Sequence, residues 1–363
     1  MRIHAFRALL PQADLLSNPA DFFQQCKTNY RHFADQGFFQ PQQEDAIYRY
    51  ELERNGQVIQ GIIATLDIQD YLNNHIKKHE HTLRAKEETQ CRLFESQKAF
   101  LKPILATYPY YADINAWLTD MKDRYPVPCL TIREGEYDIH RLFAITDTAD
   151  IARIAHYFSQ EVTDVFIADG HHRCAAAAAL HLRHPAKPFA RIPCVLIDAH
   201  AIRIHSFHRI ATLEDTSPTR LLESLSRYAS IQPHWEALPS SAGEMTFFLD
   251  NQWFVARWKE AFLHQPPDPV VLDVQLLNTF VFEKILGITD IRHSPRIAYV
   301  EGPAGIAGLK QEQAAMEPAV GFCLYPISTD QFMQGAIAHL LFPPKSTWFE
   351  PRMKSGLIVC SWK

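Results

Sequence analysis

Asp164-Val165-Phe166-Ile167-Ala168-Asp169-Gly170-His171-His172-Arg173 runs through Cys174 into an alanine stretch at 175–179. Four apolar residues make a short buried strand, an acid and a glycine end it, and helix formers resume within two or three positions. A strand turning abruptly into a helix points unpaired backbone N–H groups at one spot, which is the geometry of an anion site. Gly170 permits a backbone conformation barred to bulkier residues and a close approach by a ligand. His171, His172 and Arg173 add side-chain donors, and an arginine can fork onto a phosphate with two hydrogen bonds. Asp169 is a costly charge to place there unless it holds a metal ion, a histidine or a proton. Strand–glycine–helix junctions are also common where the following basic residue is merely solvated. Density favours chemistry: five consecutive non-aliphatic residues, four of them ionisable, stand between apolar strand and apolar helix.

Composition narrows the class. The 363 residues, 47% hydrophobic, can fill one large domain or two ordinary ones. A net charge of −5, with no basic tail and no helix-turn-helix, argues against a nucleic-acid partner. The seven cysteines (Cys26, Cys91, Cys129, Cys174, Cys194, Cys323, Cys360) stand singly, which reads as reduced thiols rather than disulfides or a zinc site. The first eleven residues lack a signal-peptide core and no window is apolar enough to span a bilayer, so a soluble, cytoplasmic protein with no membrane partner is expected. A homodimer is compatible with the sequence.

Working outward, residues 47–52 and 58–66 flank Asn55-Gly56 as a hairpin. Residues 69–74 form a short helix or turn, 84–101 a helix with a charged face, and 131–144 a second hairpin about Glu134-Gly135-Glu136. A helix at 151–158 and a strand at 165–168 precede the motif; the helix at 173–183 and a strand at 192–197 follow it. Beyond 213 come a helix (218–229), a third hairpin about Asp250-Asn251, a proline-rich break at 265–269 and a helix (272–286). Strands at 297–300 and 320–325, a helix at 331–341 and a last strand at 357–361 complete the order. Hairpins interspersed with helices predict an α+β protein rather than a doubly wound parallel sheet.

Two further clusters carry chemistry. His79-Glu80-His81-Thr82 offers a carboxylate that could take a hydroxyl proton beside bound phosphates; the plain alternative is that Glu80 opens the following helix, where negative charge suits the dipole. Pro344-Lys345-Ser346-Thr347, with Arg352 and Lys354 beyond, offers cations and hydroxyls for a phosphate or carboxylate, although the glycines of a Walker A loop are missing. Its alternative is a rigid surface loop. His208-Arg209 ends an extended segment and could face a pocket.

Asp169-Gly170-His171-His172-Arg173 resembles the signature of the ParB/sulfiredoxin-type fold, and most closely that of the free serine kinases built on it. Over nearly its full length the chain resembles the bacterial family known as domain of unknown function 1015. That resemblance rests on Gln60-Gly61-Ile62-Ile63-Ala64, Ile76-Lys77-Lys78-His79-Glu80-His81-Thr82, Phe207-His208-Arg209, and Pro344-Lys345-Ser346-Thr347-Trp348-Phe349 through Lys354-Ser355-Gly356-Leu357. The kinase-like part covers roughly 71–212. Near the start, Pro11-Gln12-Ala13-Asp14-Leu15-Leu16 replaces the family's Pro-Tyr-Asp-Val, so no role is carried onto that segment.

The resemblance implies a ParB/sulfiredoxin-like mixed-sheet domain over 1–212 that binds nucleotide and substrate. A second α+β lobe over 213–363 would contribute the Pro-Pro-Lys-Ser-Thr loop. It implies nucleotide-dependent phosphoryl transfer on a small hydroxyl amino acid, L-serine or O-phosphoserine, in the kinase or the phosphatase direction. Gly170, His171, His172 and Arg173, with Lys345, Ser346 and Thr347, are expected to hold phosphates of ATP or ADP. Glu80 would be the base, His172 and Arg173 would stabilise transferred charge, and Asp169 would bind Mg²⁺. His79, Thr82, His208 and Arg209 would contact substrate. The rival expectation is a ParB-like switch that binds nucleotide without catalysis.

Overall fold

The computed structural model describes residues 1–185, 188–263 and 270–362; the break expected at 265–269 lies outside them. The chain is α+β and divides into two compact units, one made of 1–202 together with the C-terminal stretch from Pro351, the other of 203–350. The sequence suggested one boundary, at 212. Compactness instead divides the chain after Ile202 and again after Glu350, because the last strand, Val359–Ser361, pairs with Ala8–Pro11 and Ala99–Phe100.

The first unit is built on a nine-stranded mixed sheet. The Asn55-Gly56 hairpin forms as expected, joining Ile47–Arg54 to Gln57–Asp67, with both turn residues at positive φ (50° and 76°) as a type I′ turn requires. Arg191–Asp198 pairs with Gln57–Asp67 on one side and Ile104–Tyr108 on the other. Gly61 is needed at that seam, since a Cβ there would stand 2.9 Å from the Leu196 carbonyl oxygen. Ile104–Tyr108 in turn pairs antiparallel with the motif strand Val165–Asp169, whose other edge runs parallel to Ile76–Lys77. The segment leading to His79-Glu80 thus emerges beside the strand that ends in Asp169.

The motif helix, His171–Arg183, begins two residues earlier than the sequence suggested. Its buried face is Cys174, Ala176, Ala177, Ala178 and Leu180, and it packs on the helix Arg84–Gln97, which buries Cys91 and Phe94. Alanines allow that close approach, so the Cys91 thiol reaches the Ala176 carbonyl at 3.6 Å. The expected helix at 84–101 stops at Gln97, where Lys98 takes a left-handed conformation (φ 52°) and the chain becomes strand.

In the second unit, six antiparallel strands run in the order Ala229–His234, Gln252–Trp258, Glu244–Leu249, Ala319–Leu324, Phe207–Thr212, Ile297–Glu301. The helix expected at 218–229 ends at Leu225 and gives way to the edge strand. No described helix is long and apolar enough to cross a membrane, and all seven cysteines are free thiols.

Candidate active site

Gly170 is the N-cap residue of the motif helix at φ 112°, ψ 25°, and as a glycine it offers no side-chain cap to the first-turn N–H groups that follow the strand end. The glycine is obligatory twice over. Its φ disfavours any side chain, and a Cβ would stand 2.8 Å from Ile104 Cγ2 and 2.9 Å from Arg173 Nη2.

Arg173 turns back onto its own strand. Nη2 donates to Asp169 Oδ2 at 2.8 Å, while Nη1 donates to the carbonyls of Lys102 (2.9 Å) and Pro103. Three of its five donors therefore fix the corner itself, leaving two for a ligand. Lys102 Nζ stands 3.2 Å from the same Asp169 oxygen. A third cation comes from the C-terminal tail, which the Gly356 N–H anchors on the Leu101 carbonyl at 2.7 Å: Arg352 adds its field to Asp169. Burial pushes the Asp169 carboxyl up, but Arg173, Lys102 and Arg352 together outweigh it and hold the carboxyl well below the usual range.

On the other side, His79 and His171 meet edge to face with ring centroids 4.5 Å apart. Both are buried. Desolvation, with the His171 ring adding to it, holds His79 well below the ordinary histidine value. Desolvation, opposed by Asp169 and aided by His172, Arg173 and Lys78, takes His171 down to about 3, so both are neutral near pH 7. The His171 Nε2 atom is buried without a hydrogen-bond partner. The Glu80 carboxylate sits at this pair, one oxygen 3.9 Å from His79 Nε2 and the other 3.9 Å from His171 Nδ1, with its side chain about a third exposed (36%). Glu80 does not open the following helix, which starts at Arg84. Thr82 is half-buried.

His172 lines a groove of about 600 Å³ together with Lys27, Lys86, Thr89, Gln90 and Arg92. Such a volume suits a nucleotide-sized ligand, and among the described residues the lining carries cations and no carboxylate. Sequence reasoning missed Lys27, Lys86, Arg92 and Lys102. Only Lys102, at the end of an apolar run and before a proline, carried a local signal.

The remaining expected residues lie in the second unit. Arg209 is buried and donates to the carbonyls of Phe207 (2.8 Å), Pro344 (3.4 Å) and Lys345 (2.8 Å), so it holds the 343–347 loop. Burial brings its pKa down to about 10. His208 is buried and taken down to about 4, by desolvation first and Arg209 second. Ser346 donates to the Pro343 carbonyl at 2.6 Å, Thr347 is buried, and Lys345 lays its ammonium 4.9 Å from the Phe207 ring centre. Lys354 belongs to the first unit and pairs with Glu134 at 2.7 Å.

Mg²⁺, implied by phosphate chemistry, fits Asp169 poorly: the carboxylate is a single ligand whose Oδ2 already faces two cations. Among the described residues, the one group of three candidate metal ligands is Glu134, Asp138 and His140. Protein cations already serve it, since Lys354 holds Glu134 and Arg54 Nε donates to Asp138 at 2.6 Å.

Several solved structures are similar in outline. A free serine kinase variant in complex with ADP is 14% identical, over 81% of this chain and 92% of its own, with a TM-score of 0.40. SbnI from Staphylococcus aureus, truncated at its C-terminus, is 12% identical over 81% and 85%, at 0.44. A conserved hypothetical protein from Pyrococcus furiosus is 14% identical over 83% and 95%, at 0.40. No curated protein matches the chain. Residues 4–275, well over half of the sequence, match the family described as a protein of unknown function, DUF1015, and the chain belongs to that family.

Proposed function

We propose that this protein is a nucleotide-dependent phosphotransferase acting on a small hydroxyl amino acid, L-serine or its phosphorylated form. One observation carries the reading: the Glu80 carboxylate stands within 3.9 Å of His79 and His171 at the start of the motif helix, whose N-cap residue is a glycine. Phosphoryl transfer asks for little covalent chemistry from the protein. It needs an aimed set of donors for phosphate oxygens and a group to take the proton from the attacking hydroxyl. The first-turn N–H groups of the motif helix, with the donors left on Arg173, are the phosphate cradle. Lys102 and Arg352 supply positive field without a metal at Asp169. The basic groove opening from His172 holds the remainder of ATP or ADP.

Glu80 takes the serine proton. The neutral, tightly packed His79 and His171 beside it fix its position without competing for the charge. Asp169 does not touch the reacting groups; it orients Arg173 and Lys102. A switch that only bound nucleotide would have no use for a solvent-reaching carboxylate at the cradle, which favours the enzyme. The test is phosphorus NMR of the purified protein with L-serine and ATP, ADP or pyrophosphate in turn, repeated with O-phosphoserine alone. A phosphoserine resonance growing with one donor supports the reading. Nucleotide binding with no new phosphorus species from any donor refutes it.

A further inference from the structure

The 343–347 loop, which the sequence marked as an anion clamp, borders through Ser346 a cavity of about 210 Å³ lying wholly within the 203–350 unit. Its polar lining includes Asp273, Ser206, Ser346 and Gln331, with Leu263 and Ile327 among the apolar walls. No Lys, Arg or His among the described residues lines it. Asp273 opens the short helix Asp273–Leu276, and both carboxylate oxygens lie 3.1 Å from the Gly243 N–H. The Ser206 hydroxyl donates to the Leu324 carbonyl at 2.7 Å and that of Ser346 to the Pro343 carbonyl at 2.6 Å. Each hydroxyl has spent its proton on the backbone, so it offers a ligand only oxygen lone pairs. The Gln331 carboxamide oxygen is taken by the Ser328 N–H at 3.0 Å.

Apart from the Gln331 amide donors, these polar side chains offer acceptors, and among the described residues the lining holds one acidic group with no basic counterpart. Burial, and more weakly Glu244, raises the Asp273 carboxyl to about 6 against the pull of the Gly243 amide and the Trp258 indole. Glu244 is itself a carboxylate and accepts from Arg257 and Ser240. A half-buried carboxylate short of positive charge is costly until a cation reaches it.

We propose that this cavity binds the primary ammonium group of a small, partly apolar amine, with the Asp273 carboxylate as counter-ion and the Ser206 and Ser346 oxygens as further acceptors. An ammonium has three donors to place, and these three groups match that number. A zwitterionic amino acid is disfavoured because its carboxylate would meet no cation among the described residues of the lining. The volume is below that of a typical drug-sized pocket, which limits the ligand to a few heavy atoms. The site is independent of the phosphotransferase reading, lying among the residues of the other unit.

The test is calorimetric titration of the full-length protein near neutral pH with n-butylamine and with n-butanol as its uncharged match, repeated on Asp273→Asn, which keeps an oxygen for the Gly243 N–H. The amine is expected to bind roughly tenfold or more tightly than the alcohol, and Asp273→Asn to abolish that preference. Should the variant fail to fold by circular dichroism, the wild-type pH profile decides. Amine affinity falls as pH drops through about 6, where the Asp273 carboxyl takes a proton, and alcohol affinity stays level. Glu244 does not titrate in that window, because Ser240 and Arg257 hold it below the ordinary range despite burial. Equal affinity for amine and alcohol, no amine binding at millimolar concentration, or an amine affinity indifferent to pH overturns the proposal.

Discussion

Replacing Arg173 by alanine tests the corner on which the site is built. Read from sequence alone, the change removes a phosphate donor and cuts turnover by roughly two orders of magnitude with the fold intact. The structure gives the guanidinium an internal load. Only 13% of the side chain is exposed, and it ties Asp169 to the Lys102 and Pro103 carbonyls. Hydrogen bonds to a charged group contribute about 1.5–3 kcal/mol each. Truncation leaves Asp169 with Lys102 at 3.2 Å and two carbonyls without their donor. The expected loss is about 3–5 kcal/mol, as for other broken buried pairs, or roughly 6–20 °C in Tm for a unit of this size. Arg173→Lys keeps the charge beside Asp169 but cannot span both carbonyls, so it recovers about half of that loss. Urea denaturation followed by tryptophan fluorescence measures both variants. An Arg173→Ala protein within about 1 kcal/mol of wild type that has nevertheless lost all activity would refute the positioning role and return Arg173 to ligand binding alone.

Glu80→Gln leaves stability unchanged, because Glu80 lies outside the helix and is partly exposed, but lowers phosphoryl transfer by about 10²–10⁴-fold; steady-state kinetics beside a thermal melt checks both halves. Gly170→Ala meets a forbidden φ and the Ile104 methyl together, and destabilises by about 1–3 kcal/mol in denaturant titration. For His171, whose folded-state value of about 3 lies below the unfolded one, protons bind the unfolded chain first as pH falls. Stability from this group is thus whole above about pH 6.5 and declines down to about pH 3, by about 1.4 kcal/mol per pH unit. His171→Asn should flatten the urea-midpoint profile in that window by the same slope.

Local pattern made much of the fold legible. Asn55-Gly56 and Asp250-Asn251 announced hairpins because type I′ turns demand those residues, and both form with positive φ. Asp169-Gly170 announced the strand-to-helix corner for the same kind of reason. Helix ends were less legible: residues 98–101 have helical composition, yet Lys98 turns left-handed so that Ala99–Phe100 can pair with the C-terminal strand. That pairing joins residues some 260 positions apart, and no local signal foretells it. It is also why Arg352 and Lys354, which looked like partners of Lys345, belong to the other unit. At the site, residues adjacent in sequence could be found: Gly170 to Arg173 by density, and Glu80 by its histidine neighbours. Lys102, Lys27 and Arg92 reach the site only through packing. Arg209 reads in sequence as a substrate contact; its bonds to the Phe207, Pro344 and Lys345 carbonyls were not legible, because an arginine binding carbonyls and one binding a ligand read alike in sequence.

The most direct measurement is a single-turnover experiment with radiolabelled nucleotide and L-serine, run on wild type and Glu80→Gln at equal, calorimetrically verified nucleotide occupancy. Labelled phosphoserine should form on the wild type and fall by at least about a hundredfold on the variant. Equal formation on both, or none on the wild type with nucleotide bound, contradicts the placement of Glu80 as the base at a phosphate cradle.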